Sequence, residues 1–131
     1  MVKKTRNRNI NFEIEFYEGV LNKTPDFLKA LCALGDLYTK KGHYQKGLQI
    51  DKRLVRIRPN DPVVLYNLAC SYSLLNDVDQ AFDNLQRAIT LGYDDLYHLE
   101  HDDDLNNLRK NDKFRQYLDG LKKEHKQRQF D

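Results

Sequence analysis

The chain has 131 residues, of which 32% are charged, 40% hydrophobic and 11% aromatic, with a formal net charge of +2. That is one domain's length with enough apolar content for a core, and its apolar runs fall far short of the roughly 18 residues that a bilayer-spanning helix needs. Two cysteines, Cys32 and Cys70, are too few for a disulfide scaffold or a zinc finger; they read as small, partly buried apolar residues of a reduced, cytoplasmic protein.

Residues 1–9 carry Lys3, Lys4, Arg6 and Arg8 and read as a disordered basic tail. The next segment is not the apolar stretch of a signal peptide but one with Glu13, Glu15 and Glu18, so export is not expected. Residues 10–27 form a leading half-unit with one helix over about residues 10–22. Two longer units come after it. Laying residues 28–61 over 62–95, an offset of 34, matches Leu31 with Leu65, Leu34 with Leu68, Gly35 with Ala69 and Tyr38 with Tyr72. Further along, Gly47 meets Ala81, Leu48 meets Phe82, Val55 meets Ile89 and Asp61 meets Asp95. The second half of the unit also fits upstream, where Ile14, Val20, Leu21 and Pro25 take the slots of Leu48, Leu54, Val55 and Pro59.

Within each unit the apolar spacing is three and four, which is helical. Gly42 and Asn76 share an offset suited to a left-handed turn between helices, and Asp77 offers an N-cap. Pro25 and Pro62 suit first-turn positions behind Thr24 and Asp61, while Pro59 closes a helix. No alternating β-branched run is present, so the chain reads as all-α. Residues 96–127 read as a closing cap, with a short helix after Asp94-Asp95 and a final helix opened by Asn111-Asp112. In that last helix Phe114, Tyr117, Leu118 and Leu121 share one face. Residues 128–131 are a tail.

These residues resemble the tetratricopeptide repeat (TPR), a helix–turn–helix unit of 34 residues. The first unit carries Leu31, Leu34, Gly35, Tyr38, Gly47 and Pro59 in the family's slots, with Asp51 for the usual aromatic and Leu54 for the usual alanine. The second carries Leu65, Leu68, Ala69, Tyr72, Ala81, Leu85 and Ala88, with Tyr93 where proline is usual. The closing segment is similar to one that ends many bacterial TPR domains, with Asp103 and Lys113 in place of that pattern's prolines. The resemblance implies an α–α superhelix, a solenoid of stacked antiparallel helix pairs, in which small residues let paired helices approach.

Charge is arranged in blocks. Residues 40–58 hold Lys40, Lys41, Lys46, Lys52, Arg53, Arg56 and Arg58 against Asp51 alone, and residues 76–104 are strongly acidic against Arg87 alone. Such blocks point to directed contacts with a charged partner or with another copy of the chain. Nucleic acid is not expected, because the acidic block would repel a polyanion and no recognition motif accompanies the bases. Nor is catalysis, since the glycines are scattered singly and Ser71 and Ser73 lack a nucleophile-elbow context. His98 and His101, with Asp102, Asp103 and Asp104, have the types for a metal site, but a capping segment accounts for them and no metal or other cofactor is expected. Asp51 is expected to reach solvent, or to pair with a basic neighbour or a tyrosine hydroxyl.

The remaining reading is a scaffold for another protein. In the resembled family the first helix of each unit lines a concave groove that holds a peptide or helix. Carried over by slot, that groove would present Lys29, Cys32, Ala33, Asp36, Thr39 and Lys40 from one unit and Val63, Tyr66, Asn67, Cys70, Ser73 and Leu74 from the next. Asn67 can both donate to and accept from a peptide backbone, and Tyr66 offers a flat apolar face with a polar tip. Of the residues with which some members clamp a chaperone's C-terminal carboxylate only Asn67 is present, so that ligand is disfavoured. So short a groove implies micromolar affinity. The alternative is a self-assembling structural protein in which the basic block 40–58 meets the acidic block 76–104 of another copy.

Overall fold

The computed structural model describes residues 2–130, with side chains from residue 9 onward. Its helices are α1 (Val2–Lys23), α2 (Leu28–Lys41), α3 (Tyr44–Ile57), α4 (Pro62–Leu74), α5 (Val78–Thr90), α6 (Leu96–His101), α7 (Asn106–Arg109) and α8 (Asp112–Phe130), with a 3₁₀ turn at Asp103–Leu105. No strand occurs among the described residues. Pairs α2–α3 and α4–α5 are antiparallel hairpins stacked in chain order, α1 packs on α2, and α3 packs on α4. This is the all-α solenoid that the period implies.

The turns repeat as the sequence does. Gly42 (φ 86°) and Asn76 (φ 60°) both take the left-handed conformation. Each is followed by an amide that reaches back to a helix carbonyl, His43 to Tyr38 and Asp77 to Tyr72, at 2.8 and 2.9 Å. Asp61 caps α4 through the Val63 amide at 3.0 Å, and Asp95, one offset later, caps α6 through the His98 amide at 3.0 Å. A further repeated clasp joins the units: Arg53 donates to the Pro25 carbonyl and Arg87, one offset on, to the Pro59 carbonyl at 3.4 Å.

Close approach within the first hairpin depends on Gly35. A Cβ built there would lie 3.2 Å from Ile50 Cγ2 and 3.5 Å from Asp51 Oδ1, so the α2–α3 spacing leaves little room for one. The apolar faces gather into two cores. One joins α1, α2 and α3 through residues such as Ile14, Leu31, Leu34 and Leu54, and takes in Val64 of α4. The other joins α4 and α5 to the closing segment through Leu65, Leu85, Leu99, Leu108 and Phe114. Val55 packs against both.

The helix α1 starts at Val2, and of the residues read as a basic tail the side chains of Lys3, Lys4, Arg6 and Arg8 lie outside those described. One expectation is corrected. Pro25 does not open α2, which starts at Leu28 behind Phe27 without a side-chain cap. Thr24, Pro25 and Asp26 instead form the link, the Phe27 amide bonding the Thr24 carbonyl at 3.2 Å. The final helix runs to Phe130, three residues past the expected end of the cap; of the tail 128–131, Asp131 lies outside the described residues.

Gly42→Ala introduces a Cβ that meets nothing within 4 Å, so its cost is conformational alone. It is expected to destabilise the protein by about 1 kcal/mol. Gly120→Ala, in the open on α8, is expected to stabilise by up to about 1 kcal/mol. Urea unfolding of both variants checks the opposite signs.

Candidate functional site: a groove with an acidic floor

The first helices of the hairpins, α2 and α4, together with α6 enclose a cleft of about 300 Å³. Cys32, Asp36 and Thr39 reach it from α2 and Tyr66, Asn67, Cys70 and Leu74 from α4, as the slots imply. Asn67, Asp36 and Cys32 are exposed, and the exposure of Cys32 differs from the partly buried thiol expected. Lys29, Ala33, Lys40, Val63 and Ser73 do not line the cleft. Lys40 instead pairs with Asp36 one turn back, at 2.9 Å.

Three of the expected contact residues, Ser73, Tyr66 and Cys70, are buried. Ser73 is fully buried; its hydroxyl accepts from the Leu108 amide at 3.2 Å, and Asn107 donates to its carbonyl at 2.9 Å. The closing segment covers the side of α4 that a longer groove would leave open. Tyr66 is also buried. Its ring stacks on Tyr93 at 4.3 Å between centroids and 9° between planes, and its hydroxyl donates to Asp102 Oδ2 at 2.7 Å. Tyr93 occupies the slot where the family usually has proline, so that departure supplies the ring that covers Tyr66.

Asp102 joins α4 to the cap. Besides Tyr66, Oδ2 faces the Cys70 thiol, which donates at 3.7 Å, and His98 Nε2 at 3.1 Å. Oδ1 accepts from the Asp104 amide at 3.0 Å and so caps the 3₁₀ turn. Burial, and then the Asp102 and Asp104 charges, push the Cys70 thiol well above its ordinary value. Burial and the neighbouring Asp102, Asp103 and Asp36 charges likewise raise the Asp104 carboxyl.

Cys70, Asp102 and Asp104 bring one ligand atom each within 4.8 Å of one another. The cysteine comes from a helix 32 residues upstream of Asp102, a partner that sequence spacing does not reveal. His101 does not join His98: its Nδ1 sits 2.8 Å from the Tyr97 carbonyl and its ring stacks on Tyr97 at 4.1 Å. These residues offer donor types that suit a divalent metal. As they stand they form a hydrogen-bonded set whose thiol is held protonated, and Asp102 already accepts from its neighbours.

Asp51 corrects the expectation of exposure, or of pairing with a base or a tyrosine. It is only 7% exposed and accepts from the hydroxyl of Ser71 on α4. Burial lifts its carboxyl from 3.8 to about 6, with the Ser71 hydroxyl pulling the other way. Asp36, Asp51, Asp102 and Asp104 together give the cleft an acidic floor and rim. Of the basic block, Lys46 and Lys52 lie over the rings of Tyr38 and Tyr72 at 5.6 and 5.9 Å from the centroids. In the acidic block Asp77, Asp95 and Asp102 serve as helix caps.

Because the folded-state value of Asp51 lies above its unfolded one, the folded chain holds its proton more tightly. Stability from this group is greatest below pH 4 and declines as pH rises from about 4 to about 6, by roughly 3 kcal/mol at most. Urea unfolding of wild type and Asp51→Asn across pH 4–7 is expected to show this decline in the wild type and to lose it in the variant.

The tetratricopeptide repeat family matches residues 28–61 and 63–91. Over 80 residues the chain is 34% identical to a chloroplastic protein of Arabidopsis thaliana, a match to 59% of this chain and 24% of that protein. Over 90 residues it is 30% identical to the "General transcriptional corepressor trfA" of Dictyostelium discoideum, covering 69% of this chain and 6% of that one. The chain thus spans a quarter or less of the length of these curated relatives. Among solved structures, "MamA 41-end from Desulfovibrio magneticus RS-1" aligns over 92% of this chain and 66% of its own, with a TM-score of 0.74 at 16% identity, a likeness of fold. With two stacked helical hairpins at a 34-residue offset and the family's match to both, the chain belongs to the tetratricopeptide-repeat proteins.

Proposed function

We propose that this protein is a non-catalytic adaptor that holds a segment of a partner protein in the groove between α2, α4 and α6, and that the segment carries a basic side chain. The observation that carries this reading is the approximately 300 Å³ cleft with Asp36, Asp51, Asp102 and Asp104 around it. A cationic side chain entering there meets carboxylates whose mutual repulsion it relieves. Asn67, exposed on the wall, has the paired donor and acceptor that an extended backbone needs. Tyr66 and Tyr93 act as a rigid wall behind it rather than as contact residues, because their faces are spent on each other. The described residues contain no helix long and apolar enough to cross a membrane, and an exposed polar groove is suited to a partner met in water.

The test is affinity capture with wild type, an Asp36→Ala/Asn67→Ala variant and, as control, Arg56→Ala on the exposed side of α3. Partners recovered by wild type and by the control are expected to bind the groove variant about tenfold more weakly and to elute with rising salt. Equal recovery by all three proteins would remove the groove from the mechanism.

A further inference from the structure

The first helix has an apolar face that nothing in the described chain covers. By the repeat offset α1 is a second helix of a hairpin: Phe16 takes the slot of Ile50. Ile50 is 6% exposed and lies against Gly35 of its partner helix, α2. Phe16 is 57% exposed and Phe12, one turn earlier on the same face, is 70% exposed. The opposite face of α1 is settled, since Ile14 and Leu21 are buried in the first core with Tyr17 packed against it. Among the described residues no helix stands beside α1 as α2 stands beside α3, and two large rings are left wet in consequence.

The spacing and charge of α1 select the occupant. Asn9, Phe12, Phe16 and Gly19 succeed one another by three, four and three residues, the seam of a two-helix pairing. The sequence of α1 is also polarised: Lys3, Lys4, Arg6 and Arg8 come first with no acid among them, then Glu13, Glu15 and Glu18 with no base. A parallel copy in register would bring together one pair of opposite sign, positions 8 and 13, and leave positions 6 and 15 facing no charge. An antiparallel copy, crossing near residues 10 and 11, sets position 6 opposite 13 and position 8 opposite 15, with Phe12 beside Asn9 of the other chain. Both flanking pairs are then of opposite sign.

We propose that α1 pairs antiparallel with α1 of a second copy, each copy filling for the other the place that a hairpin partner would take. The contact is isologous and two-fold, so it closes at a dimer. It is independent of the groove and of the 40–58 and 76–104 blocks, which lie on other helices. Two phenylalanines a side bury far less than the roughly 800 Å² per partner of a tight complex, so a micromolar dissociation constant is expected.

The experiment is sedimentation equilibrium of the full chain at low salt, from about 1 to about 300 µM, a range that brackets such a constant. Wild type is expected to pass from monomer to dimer and stop there. Phe12→Ser/Phe16→Ser is expected to weaken the dimer at least about tenfold, with the helical circular dichroism unchanged at the lowest concentrations, where wild type is itself monomeric. Glu13→Lys/Glu15→Lys is expected to weaken it similarly, and adding Arg6→Glu/Arg8→Glu to the same chain to restore it. Glu15→Lys alone is expected to weaken it too, because position 15 meets a charge only in the antiparallel pairing. The proposal is overturned if wild type stays monomeric throughout, if assembly continues past the dimer, or if the phenylalanine variant dimerises like wild type. A monomeric wild type whose α1 face instead takes another protein's helix overturns it too.

Discussion

Each helix hairpin in this chain buries one apolar face within itself and leaves a second that only a neighbouring helix can cover. The architecture results from that shortage. Gly35 lets α2 and α3 approach closely enough to bury Ile50 and Leu54. The outward face of the pair is then covered by α4, whose own second face passes to α5 and the closing segment. At that end Leu99, Leu105, Leu108 and Phe114, all fully buried, complete the last layer. At the other end α1 covers α2 but has no second helix of its own among those described.

The groove inherits its chemistry from the same stacking. Its walls are the first helices of successive hairpins, so side chains far apart in sequence meet across it. Asp51 of one hairpin reaches Ser71 of the next, and Asp102 of the cap reaches Tyr66 and Cys70. These buried contacts fix the spacing between units, while Asn67 stays exposed and Asp36 pairs with Lys40 at the surface. Burial raises the Asp51 carboxyl against the pull of the Ser71 hydroxyl, whereas burial and the neighbouring Asp102, Asp103 and Asp36 charges together raise that of Asp104.

Much of the fold was legible because the information is local. The offset of 34, the left-handed turns at Gly42 and Asn76, and the Asp61 and Asp95 caps all depend on neighbouring residues, and each stands where the sequence placed it. The matched pair Arg53 and Arg87 was also visible at that offset, but an arginine gives no sign of bonding a proline carbonyl rather than an acid. The site was less legible. A helical slot fixes which side a residue faces but not what covers that side, so Ser73 and Tyr66, in groove slots, became buried under the cap and under Tyr93. Cys70 meeting Asp102 depends on how far α6 swings over α4, which no spacing encodes. Pro25 misled because a proline after a threonine looks the same in a link as in a first turn.

The division of the interior into two cores that share Val55 bears on how the molecule comes apart. If the α1–α2–α3 layers loosen, the α4–α5 hairpin still has Phe114, Leu99 and Leu108 folded against it, so the chain need not dissolve in one step. Amide exchange should be fastest in α1, slower in α3 and slowest around Leu65 and Leu85. A single melting midpoint would therefore average over a gradient running along the solenoid.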